Sequence, residues 1–230
     1  MARETTVTRA APERPVRITI GHVTIDGDLT VPPGARGIVI FAHGTGSGRH
    51  SPRNRFVAGV LNQAGLATLL IDLLTPEEEQ IDLRTAHLRF DIGLLAARLL
   101  GATDWVLSSD DAADLHRMRI GYFGASTGAG AALLAAAQRP DVVDAIVSRG
   151  GRPDLAGDEL LRVRAPTLLI VGGNDLPVLA LNQEALQRLP AEKKLVVIPG
   201  ATHLFEEPGA LEEVARLAAE WFQQYLAPPA

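Results

Sequence analysis

Three residues in the sequence have the types and order needed for nucleophilic chemistry: Ser126, Asp175 and His203. Ser126 sits at the centre of Gly124-Ala125-Ser126-Thr127-Gly128, a G-x-S-x-G pentapeptide between an apolar run and an alanine-rich stretch. In that setting the pattern predicts a nucleophile elbow, a sharp strand-to-helix turn whose small flanking residues lift the serine hydroxyl clear of a sheet. The helix that starts there aims backbone N–H groups at developing negative charge. A serine hydroxyl is a weak nucleophile until a base takes its proton, and the base needs an acid to orient it. His203, in Ala201-Thr202-His203, is the candidate base. Asp175, in Gly172-Gly173-Asn174-Asp175, is the candidate acid, with Asp154 as its rival. The plainer readings are a helix cap at Ser126, another at Asp175, and a structural loop histidine at His203. The other five histidines are worse placed, and His43 is read as a brace for the loop it opens.

Acyl chemistry also needs donors for the oxyanion. The backbone N–H of Thr127, next to the nucleophile, is one candidate. Thr45, in the loop His43-Gly44-Thr45-Gly46-Ser47-Gly48, is the other. That loop lacks the G-K-[ST] ending of a P-loop and the G-x-G-x-x-G run of a dinucleotide site, so a nucleotide is not expected. No His/Asp/Glu spacing resembles a metal site, and neither a metal nor an organic cofactor is expected. Arg49 and Arg53 flank the glycine loop, and Arg149 and Arg152 follow an apolar run. They are candidates for binding an anionic substrate group, against the plainer reading of surface ion pairs with nearby acids.

The elements that would position these groups alternate along the chain. Residues 16–20 and Val23–Thr30 read as two antiparallel strands, and Gly37–Ala42 as a strand buried on both faces. Ser51 and Pro52 open a helix that Gly65 stops. A strand follows at 67–72, then an acidic excursion at 75–84 in which Glu77, Glu78 and Glu79 read as a solvated turn, then a helix at 85–107. The second half reads as strands at 118–124, 144–148, Thr167–Gly172 and 195–198, with helices at Thr127–Gln138 and 178–189. The last helix has the clearest period: Leu211, Val214, Leu217, Ala218, Trp221, Phe222, Tyr225 and Leu226 share one face. Strand and helix alternating at this pace predict an α/β fold, a mostly parallel sheet with helices on both faces. Ser126, Asp175 and His203 would all lie at C-terminal strand ends, where such sheets build their sites.

Composition narrows the classes. The chain has 230 residues, 47% of them hydrophobic and 21% charged, which suits one globular α/β domain at 16–230 after a flexible segment at 1–15. A net charge of −5 gives no general pull toward nucleic acid or anionic lipid, so neither is an expected partner. No cysteine is present, which removes disulfides, thiolate metal sites and a thiol nucleophile and suits the cytoplasm.

With those motifs in hand, the chain resembles the α/β-hydrolase superfamily, in its dienelactone hydrolase-like group, over nearly everything from Val16 to Leu226. The stretches from His43 to Asn54 and from Thr202 to Pro208 are similar to a small-hydrolase subgroup that is sometimes fused to phosphoribosyltransferase domains. The resemblance implies an α/β-hydrolase fold with little or no cap domain, and carries nucleophile, acid and base onto Ser126, Asp175 and His203. It departs at the nucleophile, where true dienelactone hydrolases carry cysteine. The expectation is a serine esterase for small soluble carboxylic esters, monomeric or homodimeric, with the 75–84 excursion as a partial cover. A thioesterase, acyltransferase or perhydrolase would use the same triad, and a non-catalytic binding module is the alternative from another class.

Overall fold

A computed structural model describes residues 11–227. Eight strands form one sheet: β1 (Glu13–Ile20), β2 (Val23–Thr30), β3 (Gly37–Ala42), β4 (Ala67–Ile71), β5 (Arg119–Ala125), β6 (Val143–Arg149), β7 (Thr167–Gly172) and β8 (Lys193–Ile198). Their order is β1-β2-β4-β3-β5-β6-β7-β8. β1 pairs with β2, and β2 with β4, antiparallel; every pairing from β4 to β8 is parallel. The sheet is therefore mostly parallel, with one antiparallel edge.

Alternation along the buried strands explains why β3 is apolar throughout. Ile38, Ile40 and Ala42 enter one core, and Val39 and Phe41 enter the other. The first core is closed by α3 (Ile92–Ser108) and α4 (Thr127–Gln138), through residues such as Leu95, Leu99, Ala131 and Ala135. The second is closed by α1 (Pro52–Gln63) and α6 (Ala210–Leu226), through Val57, Leu61, Val214 and Phe222. A further helix, α5 (Leu176–Arg188), adds Ala185 to the first core. Two glycines let α6 lie close: a Cβ on Gly121 would come within 2.7 Å of Phe222, and one on Gly37 within 2.6 Å of Leu226.

Three elements differ from the sequence expectation. β1 begins at Glu13, not at Val16, so residues 13–15 of the segment expected to be flexible belong to a strand; residues 1–10 of that segment lie outside the described residues. The excursion at 75–84 is a helix, α2 (Pro76–Thr85), and Glu77, Glu78 and Glu79 form its first turn. Thr75 accepts from the Glu78 N–H at 3.2 Å while the Glu78 carboxylate accepts from the Thr75 N–H at 2.8 Å, a reciprocal capping box. The expected helix at 85–107 instead starts at Ile92, capped by Asp91, after a 3₁₀ turn at Leu88–Phe90. Between β6 and β7 lies only the short 3₁₀ segment Pro153–Arg162, in keeping with the absence of a large cap. Among the described residues no helix is long and apolar enough to cross a membrane.

Candidate active site

Because β3, β5, β7 and β8 run parallel, the loops after them gather at one edge of the sheet. Ser126 stands at the turn from β5 into α4 with φ 52° and ψ −121°, a conformation that a residue with a Cβ rarely holds. Its surroundings impose that turn. Its N–H donates to the Arg149 carbonyl at 3.2 Å, and its carbonyl accepts from the Arg152 N–H at 3.0 Å. A Cβ on Gly124 would come within 2.4 Å of the Ala129 Cα, and one on Gly128 within 2.2 Å of the Ala42 carbonyl oxygen. Both glycines of the pentapeptide are thus required by close backbone approach.

The His203 Nδ1 and the Asp175 Oδ2 are 2.6 Å apart. A carboxylate at Nδ1 holds the proton there and leaves Nε2 with its lone pair. Asp175 occupies the cap position of α5 but makes no side-chain capping bond, so its carboxylate serves the histidine instead of the helix. The rival, Asp154, is held by the Arg152 guanidinium at 2.8 and 2.6 Å. Gly150 links the two halves of the site: it follows the residue that anchors Ser126, and a Cβ there would lie 3.5 Å from the His203 Cε1. Among the described residues no hydrogen bond joins Ser126 to His203.

The glycine loop after β3 meets the elbow. A Cβ on Gly44 would lie 3.0 Å from that of Ser126, and the Thr45 and Thr127 hydroxyls are 3.1 Å apart. Neither backbone N–H of Thr45 or Thr127 is taken by a backbone carbonyl among the described residues. His43 braces the loop: its Nε2 accepts from the Leu73 N–H at 3.0 Å, which puts the ring proton on Nδ1, 3.0 Å from the Gly44 carbonyl. Burial pushes its pKa below the usual histidine value, so the ring is neutral.

Next to Thr45 and Thr127 opens a cavity of about 120 Å³, walled by Leu73, Leu74 and Leu95 and roofed by Glu79, Asp82 and Leu83 of α2. The roof is tied down where Glu78 meets the buried Arg98 of α3 at 2.6 Å. Sequence reasoning named only the excursion, not these lining residues; the Thr75-Pro76-Glu77-Glu78 capping box was the signal for a helix there.

The four candidate arginines occupy different surroundings. Arg49 is held by Asp72, with Asp28 at 3.6 Å and Asp26 at 3.7 Å. Arg53 lies 3.3 Å from Glu206, and Arg152 is paired with Asp154. Arg149 has no carboxylate partner among the described residues; its guanidinium lies 5.9 Å from the Phe205 ring centroid. Burial, with Arg53 adding repulsion, pushes its pKa down to about 10.

The family model described as "Dienelactone hydrolase family" matches residues 25–226. The chain belongs to the dienelactone hydrolase family. A crystal structure of a dienelactone hydrolase from Anabaena variabilis is 64% identical, with TM-score 0.92, covering 95% of this chain and all of that one. This family member is also 60% identical over 214 residues to a putative phosphoribosyl transferase of Mycobacterium tuberculosis, covering 93% of this chain and 47% of the relative. It thus spans about half the length of the curated relatives it matches. Est1E of Butyrivibrio proteoclasticus is 18% identical with TM-score 0.76 over 91% of this chain and 98% of its own; that likeness is one of fold.

Proposed function

We propose that this protein is a serine hydrolase that cleaves small carboxylic esters through an acyl-enzyme on Ser126. The observation that carries the reading is the His203–Asp175 pair, 2.6 Å apart, at the same sheet edge as the strained Ser126 elbow. The His203 Nε2 takes the proton of the Ser126 hydroxyl as its Oγ attacks the ester carbonyl carbon. The Thr45 and Thr127 N–H groups hold the oxyanion that forms. As the intermediate collapses, the C–O bond to the alcohol breaks and His203 hands its proton to the departing oxygen. Water, deprotonated by the same Nε2, then releases the acid and restores Ser126. Asp175 keeps the ring oriented and stabilises the imidazolium.

The cavity beside Thr45 and Thr127 is the natural seat for the acyl chain. Its apolar wall of Leu73, Leu74 and Leu95 and its small size suit short acyl chains such as acetyl and butyryl.

Fluorophosphonate labelling read by intact mass tests the reading. One adduct is expected on the wild type and none on Ser126→Ala, whose kcat on p-nitrophenyl acetate falls by about 10⁴ or more. Asp175→Asn is expected to lower kcat by about 10³ to 10⁴. A folded wild type that takes no adduct and turns over no ester overturns the proposal and favours a binding module.

A further inference from the structure

Asn182 is fully buried on α5, about two helical turns beyond Asp175, which stands at the cap position of that helix. It interrupts a buried stripe that Val178 and Ala185 otherwise make apolar. Its amide nitrogen donates to the Val178 carbonyl at 2.8 Å and to the Gly151 carbonyl at 2.9 Å. Only the nitrogen end of an amide can face two carbonyls, and both of its hydrogens are thereby used. The Oδ1 is left buried without a partner among the described residues. A leucine of similar size would fill the same space without that unmet acceptor, so packing alone does not account for an amide here.

Gly151 lies in the turn at 149–152 that follows β6, and each residue of that turn is held. The Arg149 carbonyl and the Arg152 N–H bracket Ser126, and the Gly150 N–H donates to the Ile170 carbonyl of β7 at 2.8 Å. A Cβ on Gly150 would lie 3.5 Å from the His203 Cε1, and one on Gly151 would lie 2.6 Å from the Ala129 Cβ of α4. The turn is thus wedged against the helix that starts beside Ser126, and Asn182 ties it to the helix that starts beside Asp175. Among the described residues no other side chain hydrogen-bonds to the backbone of this turn. We infer that Asn182 is a positioning residue: by fixing the Gly151 carbonyl to α5, it sets the Ser126 elbow in register with the Asp175–His203 pair. A misplacement of about 1 Å between reacting groups can cost about a hundredfold in rate. The effect on turnover rests on the serine-hydrolase reading above, whereas the hold on His203 through Gly150 does not.

Two variants test the tie. Asn182→Leu removes both bonds at nearly constant volume. Asn182→Thr keeps a hydroxyl for the Val178 carbonyl but falls short of Gly151, and it keeps the test valid if Asn182→Leu does not fold. In each folded variant kcat on p-nitrophenyl acetate is expected to fall by about tenfold to a hundredfold, with KM within about twofold of the wild type. The reacting groups lose their register, whereas the cavity beside Thr45 and Thr127 is untouched. A residue that only packs would lower Tm and leave the kcat of the folded protein unchanged. NMR reads the same tie without turnover. The His203 Cε1–H resonance, identified by its absence in His203→Gln, is expected to shift or broaden in both variants, because that edge of the ring faces Gly150. A folded variant with the wild-type kcat and an unmoved His203 resonance overturns the proposal. A wild type that hydrolyses no ester removes the hydrolase reading alone, and the resonance then decides: a shift on replacing Asn182 keeps the positioning role, and no shift ends it.

Discussion

Ser126 concentrates backbone strain at a single position, and on the proposed function that position is also where the chemistry starts. A φ of 52° with ψ −121° costs a residue with a Cβ on the order of 1–3 kcal/mol, and glycine escapes most of it. The β5–α4 turn nevertheless places a serine there. Comparing two variants that both lack the hydroxyl isolates the strain. Ser126→Gly is expected to unfold at higher denaturant than Ser126→Ala, by about 1 kcal/mol in equilibrium urea melts. Equal stabilities would mean the turn is not strained. The residues around it had to be read together: Gly124 and Gly128 follow from the pentapeptide pattern, whereas Gly150 carries no local motif and gains its place beside His203 only through the pairing of β6 with β5 and β7.

At the scale of elements, the contrast lies between helices fixed by local signals and those whose role is tertiary. α1 has its Ser51 cap, its Pro52 start and its buried face, and Gly59 within it faces open space with an ordinary helical φ. Gly59→Ala is expected to add about 0.5–1 kcal/mol, a rise of a few degrees in Tm, since it removes backbone freedom without a clash. Gly128→Ala, at the start of α4, drives a Cβ to 2.2 Å from a carbonyl oxygen and is expected to abolish soluble expression. α2 belongs to the second kind. Its capping box makes it a helix, but its meaning comes from Arg98 and from the cavity it roofs. Leu74 lines that cavity. Leu74→Ala is expected to shift the preferred p-nitrophenyl ester from acetate or butyrate toward hexanoate, at a stability cost of about 2–3 kcal/mol. An unchanged chain-length profile would move the acyl seat elsewhere.

For the whole molecule, pH links the site's scaffold to global stability through His43. Burial lowers its folded pKa below the 6.5 of an unfolded chain. Below about pH 6.5 the unfolded chain therefore binds the extra proton, and stability falls as the pH drops. The slope reaches at most about 1.4 kcal/mol per pH unit. His43→Gln keeps an acceptor for the Leu73 N–H and cannot titrate, so its urea-melt stability is expected to stay flatter between about pH 6.5 and 5. Parallel profiles for the two proteins would remove His43 as the source. Asp28 and Asp144, both raised by burial, act in the opposite direction.

The sequence by itself determined the α/β alternation, the order of the strands along the chain, and the elbow. Each rests on short-range physics: buried parallel strands are apolar runs, amphipathic helices repeat at 3.6 residues, and a strand-to-helix turn this tight admits little but glycine beside the serine. It also supplied Asp175 and His203 as candidates, because both follow strand ends. Only the tertiary structure showed that Asp175 meets His203 while Asp154 is held by Arg152, since that depends on which residues fold next to each carboxylate. It alone separated Arg149 from Arg49, Arg53 and Arg152, which look alike in the sequence and differ in their ion partners. It also turned the acidic excursion at 75–84 into a roof. Capping is local and legible, but what a helix covers depends on residues far along the chain, and no local pattern carries that.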